Sequence, residues 1–206
     1  MAHETPTQRA SGGAASRGAD ALSSRVLLDD VAIRRALMRI AHEIVERNDD
    51  LSSLYLVGVP NGGVPLARQL ARNLHEVAGL EAVVGILDTT LYRDDLTAGA
   101  RPPLRRTEMP SAVDDRVVIL VDDVASTGRT IRAAMDALMD FGRPRAVQVV
   151  ALIDRGHREL PIKIDYVGKN IPTRRGDLVK LRTPESAPEG ALEVVLLSDE
   201  EGGAAG

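Results

Sequence analysis

Two adjacent carboxylates, Asp122 and Asp123, follow the apolar run VVILV (117–121), and the segment ASTGRT (125–130) follows them. Side by side, two carboxylates repel each other unless hydroxyls, cations or water compensate them, so something polar must sit above this strand. ASTGRT opens the next helix, and its successive N–H groups, lying at the positive end of the helix dipole, make an anion cradle. It lacks the Lys and the spacing of a Walker A loop, which sets nucleoside triphosphatase chemistry aside. A ligand that uses both features carries vicinal hydroxyls for the acids and a phosphate nearby, as a ribose 5-phosphate does. The acids alone also fit a plainer purpose, a solvated strand end with Ser126 or Thr127 capping a helix.

Such groups need strands and helices in alternation to position them. Asp29 or Asp30 caps a first helix whose Ile33, Leu37, Ile40 and Ile44 recur as a buried stripe. LYLVGV (54–59) reads as a strand, followed by a Pro/Asn/Gly loop and a helix that turns Val64, Ala67, Leu70, Leu74 and Val77 inward. AVVGIL (82–87), VVILV (117–121) and AVQVVALI (146–153) read as further strands, with a helix from about Thr130 to Phe141 joining the last two. Continuous apolar strands alternating with amphipathic helices imply an α/β fold with a parallel sheet covered on both faces. Ligands bind such sheets at the carboxyl ends of strands, where Asp88, Asp122, Asp123 and Asp154 are expected to gather along one edge. Residues 1–25 read as a disordered arm, 26–198 as the single folded domain and 199–206 as a disordered tail.

The bulk composition excludes several classes. With 44% hydrophobic and 27% charged residues in 206, the chain is not disordered throughout. It has no Cys, hence no disulfide framework and no thiolate metal site, and no apolar run or leader of the kind a membrane span or signal peptide needs. A cytoplasmic protein without membrane contact is the expectation. The net charge of −4 argues against blanket attraction to nucleic acid, yet charge is unevenly spread. Between 155 and 175, Arg155, Arg158, Lys163, Lys169, Arg174 and Arg175 face only Glu159 and Asp165, and Arg35, Arg39 and His42 follow one another at helical spacing off the core stripe. From charge alone a solvated helix face and a hydrophilic loop account for these residues. No Trp and a single Phe exclude a large aromatic stacking platform.

Taken over its full length, VVILVDDVASTGRT resembles the phosphoribosyl pyrophosphate signature of type I phosphoribosyltransferases. The segments ALMRIAHEIVERN, LDTTLYRDDL and DRGHRELPIKIDYVGKNIPTRRGDLVKL resemble the bacterial pyrimidine operon attenuation family, whose members are also uracil phosphoribosyltransferases. The resemblance covers about residues 29–183. It implies the type I phosphoribosyltransferase fold: a central, mostly parallel sheet flanked by helices, with a small hood and a flexible active-site flap. It also implies joining of uracil to phosphoribosyl pyrophosphate to give UMP and pyrophosphate. Asp122 and Asp123 would bind the ribose hydroxyls, and Ala125, Ser126, Thr127, Gly128, Arg129 and Thr130 the 5-phosphate. Asn61, Gly62 and Gly63 would form the pyrophosphate loop, and LYRDDLTAGARPPLRRTEMP the flap, with Arg93, Arg105 and Arg106 as candidate cations and Arg93 and Arg105 counted with the Asp pair as catalytic. Asp154, Tyr166 and Val167 would meet the base. Mg²⁺ would be held through the substrate, with Asp122 and Asp123 as further ligands.

By the same resemblance, Arg39, His42, His157, Arg158, Lys163 and Lys169 would bind a stem-loop of pyrimidine operon messenger RNA, and Arg35 joins them by its helical spacing with Arg39 and His42. UMP or UTP would act as co-regulator, and the chain would form a homodimer or higher homo-oligomer. Departures from the family pattern leave alternatives open. Asn61-Gly62-Gly63 stands where Thr-Arg-Gly is usual, Ala125-Ser126 where Leu-Tyr is usual, Met38 where Thr is common, and PTRRGD where PTSRSE is usual. A regulator whose transferase activity has decayed, or a phosphoribosyltransferase for another base without an RNA function, answers to these changes.

Overall fold

The computed structural model describes residues 23–60, 62–95, 103–184, 186 and 191–198. The arm 1–22, Asn61, the flap centre 96–102 and the tail 199–206 lie outside the described residues. The chain runs through strand β1 (Ser23–Leu28), helix α1 (Asp30–Arg47), β2 (Leu54–Gly58), α2 (Gly63–Ala78), β3 (Val83–Ile86), β4 (Val117–Ala125), α3 (Arg129–Met139), β5 (Ala146–Asp154), β6 (Tyr166–Asn170), β7 (Leu178–Arg182) and β8 (Glu193–Ser198). Residues 23–25, expected in the arm, belong to a strand instead. Arg25 pairs with Leu196 and Val26 with Val195, so a late partner recruits a stretch with no period of its own.

Five strands form a sheet in the order β3-β2-β4-β5-β6, and every pairing in it is parallel. The predicted α1 stripe is real: Ile33, Leu37, Ile40 and Ile44 are fully buried, and Asp29 caps the helix through the Ala32 N–H at 2.8 Å. They pack with Leu66, Ala67, Leu70 and Leu74 of α2 and with Ile119 and Val121 of β4. Val64 and Val77 of α2 are only partly buried; Leu66 takes the deeper place. On the opposite face Val118 and Leu120 meet Ala134, Ala137 and Leu138 of α3. This two-sided burial is why the strands read as continuous apolar runs.

The strand order places the switch of direction between β2 and β4, where a crevice opens beyond the strand ends. β2 stops pairing at Gly58 opposite Val121, whereas β4 continues along β5 to Ala125 opposite Asp154. The acid pair therefore sits inside β4, on an overhang without a β2 neighbour. A separate antiparallel sheet, β1-β8-β7, makes the hood. Among the described residues no helix is long and apolar enough to cross a membrane.

Candidate active site

Beyond the β2 and β4 ends lies a cleft of about 440 Å³, lined among others by Asp88, Arg93, Arg105, Asp122, Asp123 and, from the hood, Val179, Lys180 and Leu181. Strand alternation sends Asp122 to the α3 side, like Val118 and Leu120, and Asp123 to the α2 side, like Ile119 and Val121. Asp123 lies against Gly62, where any Cβ would collide with its carboxylate, and a Cβ on Gly63 would meet the Val121 carbonyl. A glycine pair lets the loop ride directly over β4.

Burial raises the Asp122 carboxyl well above the ordinary carboxylate range; the Asp123 charge adds to this and the Arg93 guanidinium opposes it. Burial raises Asp123 too, against the hydrogen bonds from Asp122 and from the Val124 and Leu181 N–H groups. The Asp122 carboxylate accepts from the Asp123 N–H at 3.0 Å and is 4% exposed. Asp122 is buried and Asp123 half-buried, and hydroxyl donors or a cation would offset the charge that this burial disfavours. Asp88 differs. Burial works against its ionisation, but hydrogen bonds from Thr90 Oγ1 (2.6 Å), Thr90 N (2.9 Å) and Arg105 N (2.6 Å) bring it below its ordinary value. Asp88 thus ties the residue that precedes the flap segment to Arg105 within it, and the segment also bridges the edge strand through Ile86 and Glu108.

Next to the cleft is a smaller hollow of about 200 Å³, lined by Ala125, Ser126, Thr127, Gly128 and Thr130 together with Arg93, Asp95 and Asp122. Gly128 precedes α3 in the left-handed region at φ 92°. Arg93 grips Asp95 through two bonds of 2.8 and 2.6 Å. The Arg129 side chain is turned outward to Asp94 and Glu159, so its place in the phosphate group rests on its backbone alone.

Several expected site residues are placed elsewhere. Tyr166 is 2% exposed in the α1-side core, its hydroxyl bonded to Gln148 and Asn48, and Arg47 stacks 5.4 Å over its ring. Val167 packs against a third apolar cluster with Ala151 and Ile164. Both enter β6 at the strand's beginning, whereas ligands approach its end, so neither faces the cleft. Asp154 is at the correct strand end but accepts from Arg158 at 2.7 Å and from the Gly156 N–H at 2.9 Å, and so is committed to the protein. Only Asp88, Asp122 and Asp123 of the four strand-end acids line the main cleft. Arg158, expected on a nucleic-acid surface, spends its guanidinium on Asp154 and on the Ser126, Gly156 and Ile162 carbonyls. Asn61 lies outside the described residues.

The remaining cations are carried by α1, by β6 and by the segment that joins β5 to β6. Arg39 leaves α1 to donate to the Val167 and Gly168 carbonyls at 2.9 and 2.7 Å, which brings α1 beside β6 and its exposed Lys169. Arg35, His42 and Lys163 are exposed, and His157 meets the Thr173 carbonyl through Nε2 at 2.7 Å. The hood residues Val179 to Leu181 and the Asp94 and Asp95 anchors were missed as site residues; DLVKL and YRDDL held them, but nothing in their spacing says that they turn toward the β4 overhang.

Residues 24–181 match the family described as phosphoribosyl transferase domain. The chain is 54% identical over 176 residues to a Bifunctional protein PyrR of Pelotomaculum thermopropionicum, covering 85% of this chain and 96% of the relative. It is 53% identical over 176 residues to the Bifunctional protein PyrR of Deinococcus radiodurans, covering 85% and 94%. Its fold is similar to that of a hypoxanthine phosphoribosyltransferase of Trypanosoma cruzi, with a TM-score of 0.62 at 17% identity over 85% of this chain and 97% of that one. With a hypoxanthine phosphoribosyltransferase of Staphylococcus aureus the TM-score is 0.58 at 18% identity, over 75% and 80%. A crevice at the sheet's switch point, twin acids on the β4 overhang and an adjoining phosphate-sized hollow agree with these matches, and the chain belongs to the phosphoribosyltransferase family, among the bifunctional PyrR proteins.

Proposed function

We propose that the protein transfers the phosphoribosyl group of phosphoribosyl pyrophosphate to uracil, and that it also binds pyrimidine operon messenger RNA as a regulator responsive to UMP or UTP. The observation that carries the first part is the twin-acid overhang of β4 beside the hollow at Ser126–Thr130. The ribose hydroxyls donate to Asp122 and Asp123, compensating two carboxylates that burial otherwise disfavours. The 5-phosphate accepts from the backbone between Ser126 and Thr130. Gly62 and Gly63 bring main-chain N–H groups close to the leaving pyrophosphate, and Arg93 and Arg105 supply positive charge from the flap. As the bond from C1 to pyrophosphate breaks, uracil N1 forms the new bond to C1 and gives up its proton to the departing pyrophosphate, and the flap excludes water from the charged centre.

Mg²⁺ fits this donor set as a substrate-borne ion. Among the described residues no three His, Asp or Glu side chains converge to hold a metal, but the Asp122 and Asp123 oxygens adjoin the sugar position. When bound, the ion neutralises developing charge on pyrophosphate. For the second activity, the flank formed by Arg35, Arg39 and His42 with Lys163, Lys169 and His157 offers phosphate contacts without an aromatic platform. A homo-oligomer would multiply this flank.

Purified protein with phosphoribosyl pyrophosphate, Mg²⁺ and uracil is expected to release pyrophosphate and form UMP, and to do neither with hypoxanthine or guanine. Turnover with a purine alone discards the uracil assignment, and no turnover with any base leaves only the regulator. RNA retention is measured separately with the leader upstream of the pyrimidine genes, with and without UMP. Equal retention in both cases discards nucleotide-responsive regulation.

A further inference from the structure

The turn after β5 braces the phosphate loop from behind. The Ala125 carbonyl accepts from the Arg155 N–H at 2.9 Å, the Ser126 carbonyl from Arg158 Nη1 at 2.6 Å, and the Thr127 carbonyl from the Glu159 and Leu160 N–H groups at 3.0 and 3.2 Å. These peptides are trans, and in a planar trans peptide the N–H points opposite to the C=O. Three successive carbonyls drawn to one side therefore turn the N–H groups of Ser126, Thr127 and Gly128 to the other, where the small hollow lies. None of those three N–H groups has an acceptor among the described residues. The middle brace differs from its neighbours in being a side chain.

Arg158 reaches that position because the chain doubles back. Gly156 and His157 are both left-handed, at φ 74° and 58°, and the guanidinium is then fixed by Asp154 and by the Gly156 and Ile162 carbonyls. A left-handed His is an uncommon backbone state, kept here by the bonds around it. His157, on the flank proposed for RNA, thus sits next to the residue that clamps the phosphate loop.

We propose that Arg158 is a positioning residue for 5-phosphate recognition, and that through its bond to the Ser126 carbonyl occupancy of the hollow is transmitted to the turn bearing His157. This rests on the phosphoribosyl reading of the cradle. A phosphate that accepts from the Thr127 N–H polarises the same peptide whose carbonyl accepts from Arg158, so each bond strengthens the other. The coupling is reciprocal: RNA that orders the turn tightens the nucleotide, and the nucleotide tightens RNA by the same factor.

The test is calorimetric titration of the full chain with UMP, comparing wild type, Arg158→Ala and Arg158→Lys. The expected result is UMP binding weakened about tenfold or more in Arg158→Ala and partly restored in Arg158→Lys. The KM for phosphoribosyl pyrophosphate rises in parallel while that for uracil holds, and the ratio of RNA affinities with and without UMP falls toward one. Hydrogen exchange on the wild type serves where the alanine variant does not fold: UMP slows exchange at the Glu159 and Leu160 amides. Unaltered UMP binding in Arg158→Ala with weaker RNA retention overturns the proposal and makes Arg158 an RNA contact. Exchange at residues 159 and 160 that ignores UMP overturns it too. A wild type that does not bind UMP at all removes the cradle reading and this inference with it.

Discussion

Replacing Asp122 by Asn should make the protein more stable and less active at once. The carboxylate is 4% exposed, among the described residues it hydrogen-bonds with its neighbour Asp123, whose N–H donates to it at 3.0 Å, and that neighbour carries like charge. Its folded pKa is raised above the roughly 3.9 of an unfolded chain, so the native state holds the proton more tightly. The sign follows: this contribution to stability is fully present below about pH 4 and is lost as pH rises through the raised folded value. Asn has nearly the same shape, carries no charge, and offers an N–H₂ donor to Asp123. Relieving a site of this kind contributes about 1–2 kcal/mol. At about 2–4 °C per kcal/mol for a chain of this size, the substrate-free Tm should rise by about 2–8 °C at pH 8 and by almost nothing at pH 4. Activity should fall, because a hydroxyl bonded to a charged acceptor is worth about 1.5–3 kcal/mol, which lowers kcat/KM about tenfold to a hundredfold. Scanning calorimetry at several pH values, paired with initial rates, checks both limbs. A Tm gain of equal size at pH 4 and pH 8, or a loss at pH 8, refutes the electrostatic argument even if activity disappears.

Gly62→Ala should push the Asp123 carboxylate off its Leu181 N–H and lower kcat/KM by about tenfold or more, read from initial rates; an unchanged rate means that the loop yields instead. Tyr166→Phe should leave the KM for uracil unaltered, since the ring is in the core, and should cost about 1 kcal/mol of stability in urea unfolding through its bonds to Gln148 and Asn48. A raised KM for uracil would return Tyr166 to the base site. Lys169→Ala, on an exposed strand end, should keep Tm and UMP formation while weakening RNA retention and reducing the slope of log affinity against log salt by about one.

Local pattern revealed most of the parallel sheet. The β2, β4 and β5 runs and the α1 stripe follow from burial on two faces, and those faces write themselves into the sequence. The hood strand β1 left no such mark, because Ser23–Leu28 becomes a strand only through pairing with residues some 170 positions later. The acids and the loop after them were legible because unlike polar groups in a fixed order have few common uses. The placement of Tyr166 and Arg158 was not legible for a shared reason. An amphipathic side chain shows its chemistry in the sequence but not its direction, and here Asn48 and Gln148 draw one hydroxyl into the core while Asp154 and three carbonyls draw one guanidinium under the phosphate loop. No spacing rule reports which partners a long side chain will find.

The hood sheet has β8 at its centre, flanked by β1 from the opposite end of the chain and by β7, whose Lys180 and Leu181 wall the cleft. A ribosome that has made the sheet, the acids and the phosphate loop has therefore not yet made a usable ceiling. The hood sheet is complete only once Glu193–Ser198 has emerged and paired with β1 on one side and β7 on the other. Loss of β8 removes the central strand of the hood while touching no pairing of the five-stranded sheet.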